Sequence, residues 1–211
     1  MASSKVVNKF FHLRSNLCYK LVTFADMKKI VILASGSGTN AENIARYFSG
    51  SESVKIVSIL SNKKDAYVLT RAENLGIPHS SFTKQEMEDG TLLSIIKGME
   101  PDLVVLSGFL LRIPAAMVEA FPHKIINIHP ALLPKFGGKG MYGDRVHEAV
   151  VAAGETESGI TIHYIDENYD QGSTIFQAKC PVLPTDTPHD VATKVHALEY
   201  EWFPKVIEKI L

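Results

Sequence analysis
The chain has 211 residues, a length that suits one domain or two small ones and is ample for burying a continuous core. Apolar residues make up 45% and charged residues 21%, which excludes a disordered chain, a collagen-like repeat and a coiled coil. With 22 Lys and Arg against 23 Asp and Glu the net charge is −1, so the basic excess that holds a protein to nucleic acid phosphates is missing. Two cysteines, Cys18 and Cys180, cannot make a disulfide framework, and a reducing cytoplasm is the expected compartment. No apolar run approaches the ~20 residues of a membrane span.

Residues 1–26 carry Lys5, Lys9, Arg14 and Lys20 against the single acid Asp26 and show no clean period. They lack the apolar stretch and cleavage site of a secretory signal. We read them as an extension outside the fold, with one domain over residues 27–211. Lys28–Ala34 is short, apolar and β-branched, as a strand buried on both faces should be. A Gly/Ser cluster follows, then a helix over Asn40–Phe48, a strand over Val54–Leu60 and a helix over Ala66–Leu75. Gly76-Ile77-Pro78 breaks the chain. Lys84–Met99 is expected as one helix, and Asp102–Leu106 and Lys124–Ile128 as further buried strands. Strands alternating with helices imply βαβ crossovers, hence an α/β fold around a mostly parallel, twisted sheet flanked by helices. Gly159–Ile165 and Ser173–Val182, joined by a polar link, predict an antiparallel hairpin added at the C-terminal side. Thr187-Pro188-His189-Asp190 then opens a helix with a Thr cap and Pro at its first position. Its apolar stripe is Val191, Val195, Leu198, Trp202 and Val206, and Pro204 is expected to kink or interrupt it.

Two strings carry chemical meaning by themselves. Ala34-Ser35-Gly36-Ser37-Gly38-Thr39-Asn40-Ala41 follows a strand and opens a helix, where backbone N–H groups and the helix dipole can hold a phosphate. It is formally G-x-G-x-x-A, but Ser61 and Asn62 end the second strand where a dinucleotide site expects an acid. A mononucleotide-like phosphate fits better, and the Walker A pattern is absent. Ile126-Asn127-Ile128-His129-Pro130-Ala131-Leu132-Leu133-Pro134 ends another strand, and ligands of open α/β sheets bind at that end. Asn127 and His129 are two apart on the strand, so both emerge on one face, where an amide and an imidazole can stabilise a carbonyl oxygen as it gains negative charge. The acidic link Asp166-Glu167-Asn168-Tyr169-Asp170-Gln171-Gly172 reads as ordinary turn chemistry unless Asp170 is brought against His129, where its carboxylate would favour the imidazolium. No G-x-S-x-G elbow occurs, the eight histidines have no metal-ligand spacing, and no metal is expected. Cys180 reads as an inert core thiol. His163 is either a packed strand residue or a partner of the site.

SGSGTN, NIHPALLP and YDQG, in that order, resemble the phosphoribosylglycinamide formyltransferases, over Lys28 to Leu211. The resemblance implies a formyltransferase fold and transfer of a formyl group from 10-formyltetrahydrofolate, as co-substrate, to the amine of glycinamide ribonucleotide in purine biosynthesis. It implies a catalytic set of Asn127, His129 and Asp170. Gly38, Thr39, Asn40 and Glu199 are the implied ribonucleotide contacts. The implied folate contacts are Leu110, Leu111, Arg112 and Ile113, with Asn127 and the segment Asp166, Glu167, Asn168, Tyr169 and Asp170. Arg112 stands one place later than in the commoner family form, and Lys139–Gly143 departs from the usual loop. Partners are then small molecules only, in a monomer or homodimer, with neither nucleic acid nor membrane. A formyltetrahydrofolate hydrolase typically has a further N-terminal domain and a methionyl-tRNA formyltransferase a C-terminal one. A silent nucleotide- or folate-binding module is the rival of another class.

Overall fold
A computed structural model describes residues 27–166 and 172–211. The expectations for residues 1–26, and for Glu167, Asn168, Tyr169 and Asp170, concern positions outside the described residues. In chain order the elements are β1 (Lys28–Ala34), α1 (Thr39–Tyr47), β2 (Val54–Ser61), α2 (Tyr67–Asn74), β3 (His79–Ser81), α3 (Lys84–Glu88), α4 (Thr91–Met99), β4 (Leu103–Leu106), α5 (Ala115–Ala120), β5 (Ile125–His129), α6 (Asp144–Ala152), β6 (Glu157–Tyr164), β7 (Thr174–Pro181) and α7 (Pro188–Ile210).

The strands form one sheet in the order β3-β2-β1-β4-β5-β6-β7. Pairings from β3 across to β5 are parallel, whereas β5 with β6 and β6 with β7 are antiparallel. The expected parallel sheet and added hairpin are both present. Alternate residues of β1 feed two cores on opposite faces. Ile30 and Ile32 join α1, α2 and α7, while Val31 and Leu33 join Met87, Leu92 and Ile96 of α3 and α4. That two-sided burial is why β1 and β4 read as unbroken apolar runs.

Three expectations need correction or addition. Lys84–Met99 is two helices rather than one. Gly90 takes a left-handed φ of 89° between them, Thr83 and Glu86 form a capping box on α3, and Asp89 accepts the Thr91 amide at the start of α4. The Asp-Gly pair was the available stop signal. β3, α5 and α6 were not anticipated; β3 is short and fully exposed, so no apolar period marks it.

The third correction concerns Pro204. The helix α7 runs unbroken through it for 23 residues. Proline has no N–H for the carbonyl four residues back, here that of Tyr200. Asn43 of α1 supplies the missing donor, its Nδ2 lying 2.9 Å from the Tyr200 oxygen. A helix defect is thereby converted into a contact between α1 and α7. In urea melts Asn43→Ala should cost about 1 kcal/mol. In a Pro204→Ala background, where residue 204 can serve the Tyr200 carbonyl itself, the same change should cost close to nothing. Equal costs in both backgrounds would separate Asn43 from the proline.

Candidate active site
The order β2-β1-β4 reverses the direction of chain winding at β1. The loops leaving β1 and β4 therefore part company and open a crevice at the strands' C-terminal ends, the usual ligand position in such sheets. A cleft of about 640 Å³ lies there, its wall running from Gly36–Asn40 through Ser107–Leu110 and Asn127–Pro130 to Gly138–Arg145, His147, His196 and Glu199.

Gly38 precedes α1 with a φ of 76°. A Cβ on it would sit 2.3 Å from Val68 Cγ2, so both the backbone conformation and the seating of α1 on α2 demand glycine. The loop is fixed from behind. Arg71 donates to the Ser37 carbonyl at 2.9 Å and pairs with Glu42. Ser35 and Asn62 share a 2.6 Å hydrogen bond, and the Leu110 amide donates to Ser35 Oγ at 2.9 Å. Asn62, standing where a dinucleotide site expects an acid, thus ties the end of β2 to Ser35, and Ser35 ties the β1 loop to the β4 loop. The folate positions expected after β4 separate in space. Leu110 is exposed on the cleft wall, Leu111 and Ile113 pack into the core beneath α4 and α5, and Arg112 is exposed.

At the end of β5 the expectation of a shared face holds, since Asn127 and His129 both line the cleft. Asn127 pairs across the sheet with His163. His163 Nδ1 faces the Tyr164 carbonyl at 3.0 Å, so this nitrogen carries the proton. Its Nε2 then accepts from Asn127 Nδ2 at 3.2 Å. His163, fully buried, is a partner of the site: it fixes which end of the Asn127 amide is the donor. His129, 3% exposed, donates Nε2–H to the Phe136 carbonyl at 2.8 Å. A second donor from this ring must come from Nδ1, which bears a proton only in the imidazolium. Asp166 is half-buried after β6.

Glu199 is 5% exposed, and its Oε2 receives both Asn40 Nδ2, at 2.9 Å, and His196 Nδ1, at 2.8 Å. Sequence reasoning missed His196 and His147, the latter because α6 was unread; Val146, Ala149 and Val150 at helical spacing were the available signal. The two rings meet edge to face with centroids 6.3 Å apart. The Glu199 hydrogen bond pushes His196 above the ordinary histidine range, while burial first and the charge of His196 second push His147 below it. Among the described residues no cluster of His, Cys, Asp or Glu could hold a metal ion, and no helix is long and apolar enough to cross a membrane.

The raised value of His196 means that the charged pair with Glu199 stabilises the fold fully below the ordinary histidine range. That contribution is lost as pH rises through the raised value. His196→Gln should therefore lower the melting temperature more at about pH 6 than at about pH 8.5. The depression of His147 comes mainly from burial, is common to both proteins and largely cancels in the comparison. A deficit independent of pH would remove the charge from the account.

Comparison with known proteins agrees with this geometry. The chain is 40% identical over 190 residues to the chloroplastic phosphoribosylglycinamide formyltransferase of Arabidopsis thaliana, an alignment covering 87% of this chain and 65% of that one. It is 36% identical over 189 residues to the phosphoribosylglycinamide formyltransferase of Haemophilus influenzae, covering 86% of both. The solved structure of the Coxiella burnetii phosphoribosylglycinamide formyltransferase, in complex with CHES, superposes with a TM-score of 0.78 at 38% identity, covering 86% of this chain and 85% of that one. The sequence pattern of the formyl transferases matches residues 28–207, and the chain belongs to that family.

Proposed function
We propose that the protein transfers the formyl group of 10-formyltetrahydrofolate to the amine of 5-phosphoribosylglycinamide, giving formylglycinamide ribonucleotide and tetrahydrofolate in de novo purine (IMP) biosynthesis. One observation carries the reading: a helix N-terminus suited to phosphate and an amide–imidazole pair suited to an oxyanion open into the same cleft. Family membership supplies the formyl chemistry and a folate-type donor. The relatives carry the substrate in their names.

On this reading the phosphate sits at the amides opening α1, with Gly38 and Thr39 beneath it, and the sugar lies towards Asn40 and Glu199. The pterin lies against Leu110, and Asp166, Glu167, Asn168, Tyr169 and Asp170 are further proposed folate contacts. Leu111, the exposed Arg112 and Ile113 follow Leu110 as further proposed pterin contacts, through their backbone. The neutral amine attacks the formyl carbon, a C–N bond forms, and the carbonyl electrons move to oxygen. Asn127 Nδ2 and the His129 imidazolium donate to that oxyanion. Asp170 holds the charge on His129 and passes the proton of the new ammonium, through water, towards N10. Collapse breaks the bond from carbon to N10, and tetrahydrofolate leaves with the proton. The step needs no covalent enzyme intermediate. We place it in the cytoplasm, in a monomer or homodimer.

Tetrahydrofolate release from 10-formyltetrahydrofolate should depend on added glycinamide ribonucleotide. Equal release without it would identify a hydrolase, and no turnover at all would leave a binding module. Asn127→Ala should lower turnover on the order of 100- to 1000-fold, the usual cost of one oxyanion donor. His129→Ala and Asp170→Asn should each be severely impaired, with the double variant little worse than the poorer single. Near-normal turnover in Asp170→Asn would remove that carboxylate from the mechanism.

A further inference from the structure
The His129 ring is oriented by the Phe136 carbonyl, which takes its Nε2 proton at 2.8 Å. The two residues are seven positions apart in the chain, so the loop after β5 must curl back on the strand it has just left. Phe136 has a φ of 55°, a backbone conformation that aromatic residues populate sparsely. Such a conformation persists only where the surrounding structure holds it.

The holding is done from β6 and β7. His129 pairs with Thr161 and Thr161 with Gln177, so a single cross-strand row runs from the site to β7 at the end of the sheet. Side chains on such a row share a face. The Thr161 hydroxyl, fully buried, donates to the Ala131 carbonyl at 2.7 Å and accepts the Leu133 amide at 3.0 Å. It also accepts one amide proton of Gln177, at 2.8 Å, while the other goes to the Leu133 carbonyl at 3.0 Å. A hydroxyl has one proton and two lone pairs, and an amide nitrogen two protons; both are fully used here. Between them they tie three backbone groups of the loop. Leu132, flanked by these ties, packs on Gly159, where a Cβ would come within 2.9 Å of Leu132 Cδ2. Gln177 is exposed, so water could satisfy its amide equally well. What its two bonds add is a fixed position for the loop.

We propose that Gln177 of β7 is a positioning residue for His129: by donating to Leu133 and Thr161 it holds the loop after β5 so that the Phe136 carbonyl fixes the imidazole ring. The assignment rests on the catalytic role proposed above for His129 and extends the machinery to the far side of the sheet. Gln177 touches no substrate. It acts on the chemical step through the orientation of the ring.

Gln177→Glu in the full chain tests it, since ionised glutamate keeps the shape of glutamine but has no proton to donate. kcat for formyl transfer should fall on the order of ten- to a hundredfold, as displacement of a catalytic group by about an ångström does. KM for both substrates and the melting temperature should stay close to those of the unmutated protein. Gln177→Lys, which donates but cannot accept, should recover much of the loss. In a His129→Ala background Gln177→Glu should add nothing, because the ring through which it acts is gone. Histidine ¹⁵N spectra, taken at a pH where the ring is neutral, read the ring itself. His129 should carry its proton on Nε2 in the unmutated protein and share it between both nitrogens in Gln177→Glu. An unchanged kcat, additive losses, or a fall in kcat with an unaltered ring spectrum would overturn the proposal. An unmutated protein without turnover overturns the formyl-transfer reading instead, and the spectra alone then decide whether Gln177 sets the ring.

Discussion

Because β1 is hydrogen-bonded in parallel to β2 on one side and β4 on the other, the chain segments leaving these strands must go separate ways. That constraint creates the crevice, and no side chain is needed to open it. What the side chains do is set its width and lining. Ser35, at the end of β1, is held by Asn62 and in turn holds the Leu110 amide, so the loops that diverge in direction remain tied at their roots. Position 38 must be glycine because Val68 occupies the space where a Cβ would be.

Polar residues from four elements, α1, β5, α6 and α7, line the cleft. At the α1 end the backbone amides and the helix dipole favour negative charge. Glu199 takes hydrogen bonds from Asn40 and His196 on one oxygen. His147 is pushed towards neutrality, and Asn127 and His129 stand on β5. Each side chain proposed for the site is oriented by a neighbour: His163 for Asn127, the Phe136 carbonyl for His129 and Asn40 for Glu199. Such support would keep the proposed oxyanion site from reorganising as charge develops. The supports come from β6, the loop after β5 and α1, so the site depends on most of the fold being in place.

What the sequence made legible follows the same physics. Strands buried on both faces, such as Lys28–Ala34, announce themselves as apolar runs, and the Gly/Ser loop and the N-x-H pair stand at their C-terminal ends. Asn127 and His129 share a face by strand period alone. The helical spacing around His147 was legible, but its contact with His196 was not, because that arises where α6 and α7 meet. The continuity of α7 through Pro204 was misread for the same reason: Asn43, 161 residues away, supplies what the local sequence lacks. The side chains of Leu111 and Ile113 pack into the core while that of Leu110 lines the cleft, a difference that the local sequence does not mark.

On the proposed function, one crevice orders both substrates so that the amine meets the formyl carbon at Asn127 and His129. A crystal structure with glycinamide ribonucleotide and a folate analogue that cannot transfer its formyl group tests it most directly. The phosphate should lie on the amides of Gly38 and Thr39, and the carbonyl oxygen standing in for the oxyanion within about 3 Å of Asn127 Nδ2. A phosphate bound elsewhere, or a folate whose formyl group lies away from the end of β5, would contradict it.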